Sequence, residues 1–380
     1  MIRVGVLGAS GFVGTRLTEI FHLERMAEVV PIVRSSNSLA GLARFALEWR
    51  IADALDYGAL VEAFRGCDVI VHSIHGPNEL LVEAPRVAYR AASRAGVRRI
   101  VYLSTAAVHG QDPAPGTDET SPLHTRHPVS YNNAKVRAER EFQRLRKGGN
   151  VEVVILRPPI VFGPRDGWVT SMAEAILARS AYVVRGEGIC NTVYVDNLVH
   201  AIRLAMTADA DGEVFIIADK ESVTWSALYR RVSEALGNHW TVPVIEDPAV
   251  IRERLPILAK LKEFAPVGAA VPFIPRGWKI AARDAINVAS VALSAARSAG
   301  RHQSVNPWQL PATPTPAVPL SVALLHRCRH KFSYAKAKDR MGYEPLLSLD
   351  EGLERTLAWM RFVAYPVGPR SITDAGRAVR

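Results

Sequence analysis

The segment Ile2-Arg-Val-Gly-Val-Leu-Gly8-Ala-Ser-Gly11-Phe-Val-Gly14-Thr-Arg-Leu-Thr-Glu-Ile-Phe21 decides the fold. Residues 2–7 form an apolar run too short for a helix, and the apolar residues of 15–21 have helical spacing. This order predicts a strand, a phosphate-binding turn and a helix, because glycines let the backbone approach a pyrophosphate and the helix N-terminus presents free N–H groups. A plain tight turn is the alternative interpretation. The candidate cofactor-binding residues of the loop are Gly8, Ser10, Gly11, Phe12, Val13 and Gly14.

The second predicted strand, residues 28–33, ends in Arg34-Ser35, twenty residues after Gly14. An acidic residue here would accept hydrogen bonds from the ribose hydroxyls of NAD, whereas a guanidinium and a hydroxyl favour the 2′-phosphate of NADP. The sequence therefore predicts a preference for NADP(H), with NAD(H) left open and a solvated Arg34 as the alternative. Asp53 is a candidate acceptor for the adenine amino group, and Ala54 is assigned to the same end of the cofactor site.

Further short apolar runs alternate with helical segments, which predicts a parallel sheet covered by helices. The predicted strands include 67–72, 99–103, 151–156, 192–196 and 212–217, and the predicted helices include 79–95 and 130–146. We therefore predict an α/β fold, a doubly wound parallel-sheet Rossmann domain with a smaller C-terminal substrate lobe. The predicted boundaries are 1–163 for the NAD(P)-binding domain (with 189–218 returning to its sheet), 164–188 and 219–362 for the substrate-binding lobe, and 363–380 for a mobile tail.

Tyr131 and Lys135 form a candidate acid/base pair. Residues four apart on a helix share one face, so both side chains can reach the same cleft. A phenol has a pKa of about 10, and a neighbouring ammonium favours the phenolate and lowers that pKa. On its own this spacing is more often a surface pair. The predicted strand 99–103 delivers Thr105 to its carboxyl end, where ligands bind in such sheets.

The composition restricts the class of protein. The 380 residues are 48% hydrophobic and 22% charged, which is typical of an ordered globular chain. Cys67, Cys190 and Cys328 are isolated and have no histidine at ligand spacing. We therefore expect a reducing, cytoplasmic location and no metal site. We expect no signal peptide, because the first residues run straight into a strand-like segment, and no membrane-spanning helix.

The net charge of +10 suits anionic ligands such as a dinucleotide. The densest basic run, residues 326–331, is interpreted as a solvated face, with peripheral membrane contact through residues 276–331 as the less favoured alternative. No basic stretch is interleaved with aromatic residues as single-stranded nucleic acid requires, so we expect no nucleic-acid partner. Prolines, an Ala-rich helix near 278–297 and a Pro-rich stretch at 307–319 indicate an enlarged substrate lobe or lid, or else a flexible insertion.

These motifs together resemble the extended short-chain dehydrogenase/reductase family, also called the NAD-dependent epimerase/dehydratase family, over residues 2–237 and again over 331–361. The glycine loop and Tyr131-x-x-x-Lys135 carry the resemblance at the predicted site. The other matching motifs are Leu103-Ser-Thr105-Ala-Ala-Val-His-Gly110, Leu156-Arg-Pro158-Pro-Ile-Val-Phe-Gly-Pro164, Val193-Tyr-Val-Asp-Asn197 and Gly342-Tyr-Glu-Pro345.

The resemblance implies a role for each catalytic candidate. Tyr131 is expected to be the acid/base, and Lys135 to hold the nicotinamide ribose and lower the pKa of Tyr131. Thr105 is expected to hydrogen-bond the reacting oxygen, and Pro158 to lie against the nicotinamide region. Many relatives pair two subunits through the helices that correspond to 81–95 and 131–146, which implies a homodimer.

Two departures from the family pattern argue against a nucleotide-sugar substrate. Ile160 stands where nucleotide-sugar members often carry Asn, and no Arg immediately precedes Thr192. His109 stands where the family usually has Tyr, which we interpret as a change of packing. The chain looks more like members that act on hydroxysteroids or other apolar alcohols. We therefore expect an NAD(P)-dependent oxidoreductase that interconverts a secondary alcohol and a ketone, on a small apolar or sugar-like substrate. The alternatives are a nucleotide-sugar epimerase or dehydratase of the same family and a cofactor-sensing module without catalysis.

Overall fold

The computed structural model describes residues 1–238, 240–251 and 318–368. The chain divides into two compact units, Met1–Asp247 with Ser321–Arg380, and Pro248–Leu320. The Ala-rich helix predicted at 278–297 and most of the Pro-rich stretch at 307–319 lie outside the described residues, as do residues 369–380 of the predicted tail. The predicted division into a cofactor domain and a substrate lobe stays a prediction.

The strands and helices follow the predicted alternation. The strands are β1 (Arg3–Leu7), β2 (Glu28–Val33), β3 (Arg50–Ile51), β4 (Val69–His72), β5 (Arg99–Leu103), β6 (Glu152–Arg157), β7 (Ile160–Phe162), β8 (Val183–Val184), β9 (Ile189–Cys190), β10 (Thr192–Tyr194), β11 (Val214–Ile216), β12 (Val223–Thr224), β13 (Val244–Ile245), β14 (Val250–Ile251) and β15 (Val318–Pro319). The helices are α1 (Phe12–Leu23), α2 (Tyr57–Phe64), α3 (Asn78–Ala95), α4 (Ser130–Lys147), α5 (Gly167–Leu177), α6 (Val195–Ala205), α7 (Trp225–Ala235), α8 (Leu320–Leu325), α9 (Ala335–Met341) and α10 (Leu349–Phe362).

The main sheet has seven strands in the order β3-β2-β1-β4-β5-β6-β11. Every neighbouring pair is parallel. The order reverses between β1 and β4, which leaves a crevice at the carboxyl ends of these strands. The predicted fold class, a doubly wound parallel Rossmann sheet, is confirmed.

Alternate residues of the strands pack on opposite faces of the sheet, as the pleat requires. In β5, Val101 belongs to the core that contains Leu17 and Ile202, so α1 and α6 cover this face. Ile100 belongs to the core that contains Phe64 and Phe142, so α2 and α4 cover the other face. The strands are apolar on both faces because both faces are buried.

Local signals in the sequence set several helix boundaries. Asp56 caps α2, its Oδ1 accepting from the N–H of Ala59 at 3.0 Å, as predicted. Gly96 ends α3 in the left-handed region with φ 78°, and Thr224 caps α7. The glycine loop differs from the expectation in one respect. Helix α1 begins at Phe12 rather than after Gly14, so the third glycine lies inside the helix.

A further core within the larger unit lies among α5, α7 and α10. It buries Trp225, Leu353 and Met360, and Phe162 of β7 belongs to it. Short strand pairs connect this region, namely β7 with β10, β8 with β13, and β9 with β12. In the smaller unit, β14 pairs in parallel with β15. Across the described part of the chain, no helix is both long enough and apolar enough to span a membrane.

Candidate active site

A cavity of about 830 Å³ lies at the carboxyl edge of the main sheet. Residues at the ends of β1, β2, β4, β5 and β6 contribute to its wall. It is lined by nearly all of the predicted site residues, namely Gly8, Ser10, Gly11, Phe12, Val13, Arg34, Asp53, Ala54, Thr105, Tyr131, Lys135 and Pro158. Gly14 is the exception, because it lies behind the loop within α1.

The glycine loop has the geometry that a dinucleotide requires. Gly8 has φ +94°, a conformation that favours glycine, and a Cβ at Gly14 would lie 2.3 Å from the Gly8 carbonyl oxygen. Gly11 is the N-cap of α1, and within the described residues no side chain caps the N–H groups of the first turn. These donors and the positive end of the helix dipole therefore remain open to an anionic group. The residues present fit the pyrophosphate of NAD or NADP.

The predicted adenosine end of the cofactor site also reaches the cavity. Arg34 lines it and forms no ion pair with any residue in the described ranges. Nearby, the Ser35 and Ser38 hydroxyls are 3.1 Å apart. Asp53 uses one carboxylate oxygen to accept from the Leu55 N–H at 2.9 Å, and its other oxygen makes no hydrogen bond within the described part of the chain. Both side chains can thus contact a nucleotide.

Thr105 is placed where β5 ends. Its hydroxyl accepts from the Ala107 N–H at 3.2 Å and starts the short 3₁₀ helix Ala106–His109. The Ala106 N–H donates to the Pro158 carbonyl at 2.8 Å, which ties the end of β5 to the end of β6. Two predicted site residues from separate strands, Thr105 and Pro158, are therefore fixed to the same wall of the cavity.

Tyr131 is on the first turn of α4 and faces the cavity beside Thr105. Burial raises the pKa of Tyr131 to about 12, and a hydrogen bond with the Thr105 side chain opposes the rise. The predicted lowering of this pKa by Lys135 stays a prediction. The Lys135 ammonium is directed elsewhere, donating to the Leu103 carbonyl at 2.8 Å and to the Tyr102 hydroxyl at 3.2 Å.

Lys135 is itself strongly perturbed. Its side chain is 3% exposed, and burial lowers its pKa to about 8, while the carboxylate of Glu139 one turn along α4 opposes the shift. Its charge at neutral pH therefore depends in part on Glu139. The Leu103 carbonyl that accepts from Lys135 is two residues before Thr105, so the ammonium also supports the end of β5.

A buried polar network lies behind these residues. Glu139 pairs with Arg157, and both side chains are 4% exposed. The Ser104 hydroxyl donates to Glu139, and Arg157 donates to His109 Nε2 at 3.1 Å. Burial, assisted by the Arg157 charge, lowers the pKa of His109 to about 3, so the ring is neutral and accepts. The interpretation of His109 as a packing change misses this hydrogen bond.

Sequence reasoning missed several residues at the other end of the cavity. Trp168, Asn191, Cys328 and Phe332 line this end, and His75 places its ring 5.7 Å from that of Tyr131. His75 follows the end of the predicted strand 67–72. This position at a strand end is the sequence feature that would have identified it as a site residue. Trp168 and Phe332 come from segments remote in sequence and gave no local signal.

No group of three or more His, Cys, Asp or Glu residues within the described ranges could hold a metal ion. The absence of a metal stays a prediction.

A glycine loop at the start of a helix, with a half-buried Tyr131 and a buried Lys135 in the same cavity of a Rossmann sheet, is typical of a nucleotide-dependent α/β enzyme. Residues 4–218, more than half of the chain, match the sequence profile of the NAD dependent epimerase/dehydratase family. The chain belongs to this family, which is the extended short-chain dehydrogenase/reductase family that the motifs predicted, and it is an NAD(P)-dependent oxidoreductase.

Similar proteins fall into two groups by name. A 3beta-hydroxysteroid-dehydrogenase/decarboxylase, isoform 1, from Arabidopsis thaliana is 25% identical over 390 residues, with 93% of this chain and 78% of the relative covered. A decarboxylating sterol-4-alpha-carboxylate 3-dehydrogenase from Candida albicans is 25% identical over 385 residues, with 93% and 96% covered. The solved structure of a dTDP-glucose 4,6-dehydratase from Streptomyces venezuelae, which has NAD bound, matches with a TM-score of 0.66 at 18% identity. That match covers 95% of this chain and 97% of the other, and shows a likeness of fold alone.

Proposed function

We propose that the protein interconverts an apolar secondary alcohol and the corresponding ketone by hydride transfer, with Tyr131 as the acid/base. The observation that carries this proposal is the presence of Thr105, Tyr131 and Lys135 in one cavity with the open glycine loop. The nicotinamide, when bound, supplies or accepts the hydride. The residues of the chain handle the proton and orient the carbinol or carbonyl oxygen.

In the reductive direction Tyr131 gives its proton to the substrate oxygen, and Thr105 donates a second hydrogen bond to that oxygen. A pKa of about 12 keeps the phenol protonated at neutral pH and ready to act as the acid. In the oxidative direction the same group must accept the alcohol proton. The positive charge of Lys135 in the cavity wall, together with that of an oxidised nicotinamide, then favours the phenolate.

The end of the cavity away from the glycine loop supports an apolar substrate. Its wall includes Ile160, Trp168, Leu325 and Phe332. Such side chains bind a hydrophobic ring system and offer little to a sugar diphosphate, which needs several hydrogen-bond donors and cations. The names of the two sterol-related relatives agree with this reading, and we propose a hydroxysteroid-like alcohol as the substrate class.

We propose NADP(H) as the preferred cofactor and NAD(H) as an alternative, because Arg34 lines the cavity just after β2 and its guanidinium forms no ion pair within the described residues. The homodimer through α3 and α4 and the cytoplasmic location also stay predictions. Sedimentation velocity tests the dimer. Membrane contact through residues 276–331 falls largely outside the described residues, and co-sedimentation with anionic vesicles tests it.

The purified protein should first be screened for thermal stabilisation by NAD and NADP, because a bound ligand raises apparent stability by mass action. It should then be assayed with both cofactors against a 3β-hydroxysteroid, the matching 3-ketosteroid, UDP-glucose and dTDP-glucose. We expect a change in NAD(P)H absorbance with the steroid pair. Conversion of a nucleotide sugar without net change in cofactor absorbance would contradict the proposal and favour epimerisation or dehydration.

A further inference from the structure

Residues 325–332, here called the strap, form part of the substrate end of the cavity. Leu325, Cys328 and Phe332 line the cavity from this segment. The strap lies against the chain at residues 188–191. The Ile189 N–H donates to the Cys328 carbonyl at 2.6 Å, and a Cβ at Gly188 would lie 1.8 Å from the His326 carbonyl oxygen. Only glycine at position 188 permits this approach of the two backbones.

The Asn191 side chain also holds the strap, beyond the backbone hydrogen bond that Ile189 makes. Asn191 Nδ2 donates to the His330 carbonyl at 2.8 Å, and Asn191 Oδ1 accepts from the Phe332 N–H at 2.9 Å. The Asn191 side chain is therefore bonded to two backbone groups of the strap beside Phe332, and the residue is 7% exposed. These two backbone groups need one hydrogen-bond donor and one acceptor, and the Asn191 amide supplies both. A carboxylate of the same size lacks the donor, and an aliphatic side chain lacks both.

We propose that Asn191 is a positioning residue for substrate specificity, whose amide fixes the strap so that Phe332 and Cys328 form the wall against which the substrate packs. This inference rests on the proposed function only in expecting the substrate to be apolar. The position of the wall follows from the hydrogen bonds alone. Without the amide, the buried Phe332 N–H loses its partner and the His330 carbonyl keeps the weak Cys328 thiol donor at 3.4 Å, which favours opening of the strap to water.

The structure also indicates how far the strap would open. Lys331 donates to the Asp219 carbonyl at 2.7 Å, and the Asp219 carboxylate accepts from the Tyr194 N–H and the Asn197 amide. This second attachment is independent of Asn191. We therefore expect opening to be local, around Cys328 and Phe332, with the remainder of the fold intact.

The three cysteines provide a direct test. Cys328 is 2% exposed and belongs to the strap, whereas Cys67 is 4% exposed and lies in the core of the main sheet. The intact protein is treated with DTNB, and labelling at each thiol is followed by peptide mass spectrometry. We compare wild type with Asn191→Leu, which removes both hydrogen bonds, and Asn191→Asp, which removes the donor. Asn150→Leu is the matched control, because Asn150 is exposed and its amide oxygen accepts from the Ser93 hydroxyl at 2.6 Å.

We expect Asn191→Leu to accelerate labelling of Cys328 by roughly tenfold or more, the factor that corresponds to one lost buried hydrogen-bond partner. Asn191→Asp should also accelerate it, while Cys67 stays protected in both variants and Asn150→Leu behaves as wild type. Unchanged labelling of Cys328 in folded Asn191→Leu overturns the proposal. Equal acceleration at Cys67 and Cys328 in both Asn191 variants would assign the amide to global stability, and overturns it as well.

Kinetics with the 3β-hydroxysteroid dehydroepiandrosterone give the second readout. Asn191→Leu should raise KM severalfold, with a smaller change in kcat and unchanged affinity for the cofactor. A fall in kcat at constant KM would contradict a role in forming the substrate wall. If no steroid is turned over by the wild type, the proposed function fails, but the labelling pattern still decides whether Asn191 positions the strap.

Discussion

The carboxylate of Glu139 and the guanidinium of Arg157 form a bidentate ion pair behind the candidate site, with Oε2 to Nη2 at 2.7 Å and Oε1 to Nε at 3.0 Å. The pair joins α4, which carries Tyr131 and Lys135, to the end of β6, which carries Pro158. Through Ser104 it also reaches β5 next to Thr105. The three elements that supply these site residues are thus connected through one buried carboxylate.

Replacing Glu139 with Gln should destabilise the protein strongly. The change keeps the shape of the side chain but leaves the Arg157 charge buried without its partner, at a cost of about 3–5 kcal/mol. Urea denaturation at neutral pH measures the loss. Glu141→Gln is the matched control on the same helix, because Glu141 pairs with Arg144 near the surface and such a pair is worth about 0–1 kcal/mol.

The double variant Glu139→Leu with Arg157→Met distinguishes a pairing effect from general damage to the core. It removes both charges, so it should be more stable than Glu139→Gln. If Glu139→Gln and Glu141→Gln cost the same free energy of unfolding, the ion pair does not connect the elements as described.

Tyr131→Phe should lower kcat for alcohol oxidation and ketone reduction by roughly 10²–10⁴-fold, the usual contribution of a positioned acid or base. The ring remains, so its packing beside His75 and the affinity for the cofactor should change little. Steady-state rates and cofactor titration by fluorescence measure the two effects. Tyr57→Phe, at an exposed tyrosine on α2, is the control. A Tyr131→Phe enzyme with wild-type kcat would remove Tyr131 from the mechanism.

Gly14→Ala should disrupt the cofactor loop. An added Cβ at this position would lie 2.3 Å from the Gly8 carbonyl oxygen and 2.8 Å from the Ala9 Cα, both backbone atoms that cannot move without shifting the loop. We expect loss of stability and at least a tenfold weaker affinity for the cofactor, which corresponds to about 1.4 kcal/mol. Calorimetric titration with NADP measures the affinity.

Gly58→Ala serves as the control for Gly14→Ala. Gly58 is also in the first turn of a helix, α2, but an added Cβ would have only the Asp56 carboxylate nearby, at 3.6 Å. Its replacement should stabilise the helix by about 0.5–1 kcal/mol. Equal behaviour of the two variants would mean that the close approach at Gly14 has no role.

Much of the fold could be predicted because its signals are local. Apolar runs, the glycine spacing and the capping residue Asp56 each act within a few residues, and they set the strands, the loop and the start of α2. The parallel pairing of the sheet then follows from the alternation of strands and helices. The twelve site residues that line the cavity were found because they stand at strand ends or in recognisable motifs.

The remainder depends on contacts between distant segments. Nothing local indicates that His109 accepts from Arg157 or that Asn191 reaches a segment more than 130 residues away. Spacing on a helix predicts that Tyr131 and Lys135 share a face, but it does not predict how deeply either side chain is buried. Desolvation is a property of the whole fold, and it is the main cause that raises the pKa of Tyr131.

Arg34→Ala should reduce the preference for NADP. Loss of a charge-assisted hydrogen bond to the 2′-phosphate costs about 1.5–3 kcal/mol, so the Kd for NADP should rise roughly 10- to 100-fold while the Kd for NAD changes little. Isothermal titration with both cofactors measures the shift. Arg94→Ala is the control, since Arg94 is exposed on α3 and does not line the cavity. Equal changes for the two cofactors would show that Arg34 does not contact the 2′-phosphate.

His72 should make the protein sensitive to acid. It lies at the end of β4, 2% exposed, against Tyr102 and Phe142, and neither of its ring nitrogens has a hydrogen-bond partner in the described part of the chain. Burial, assisted by the charge of Lys135, lowers the pKa of His72 from 6.5 to about 3. Between these values the unfolded chain binds a proton that the folded protein excludes, so stability falls as the pH drops from about 6.5 towards 3.

His72→Phe should remove this dependence, since a phenyl ring fills a similar space and does not titrate. Between pH 7.5 and pH 5 the wild type should lose about 2 kcal/mol of unfolding free energy, because each pKa unit corresponds to 1.36 kcal/mol. The variant should not show this loss. Urea denaturation at both pH values measures the difference, and any cost of repacking the ring cancels because it is the same at each pH. His124→Gln, at an exposed histidine, controls for the loss of an imidazole. Parallel pH profiles for wild type and His72→Phe would mean that His72 is protonated, or reached by water, in the folded protein.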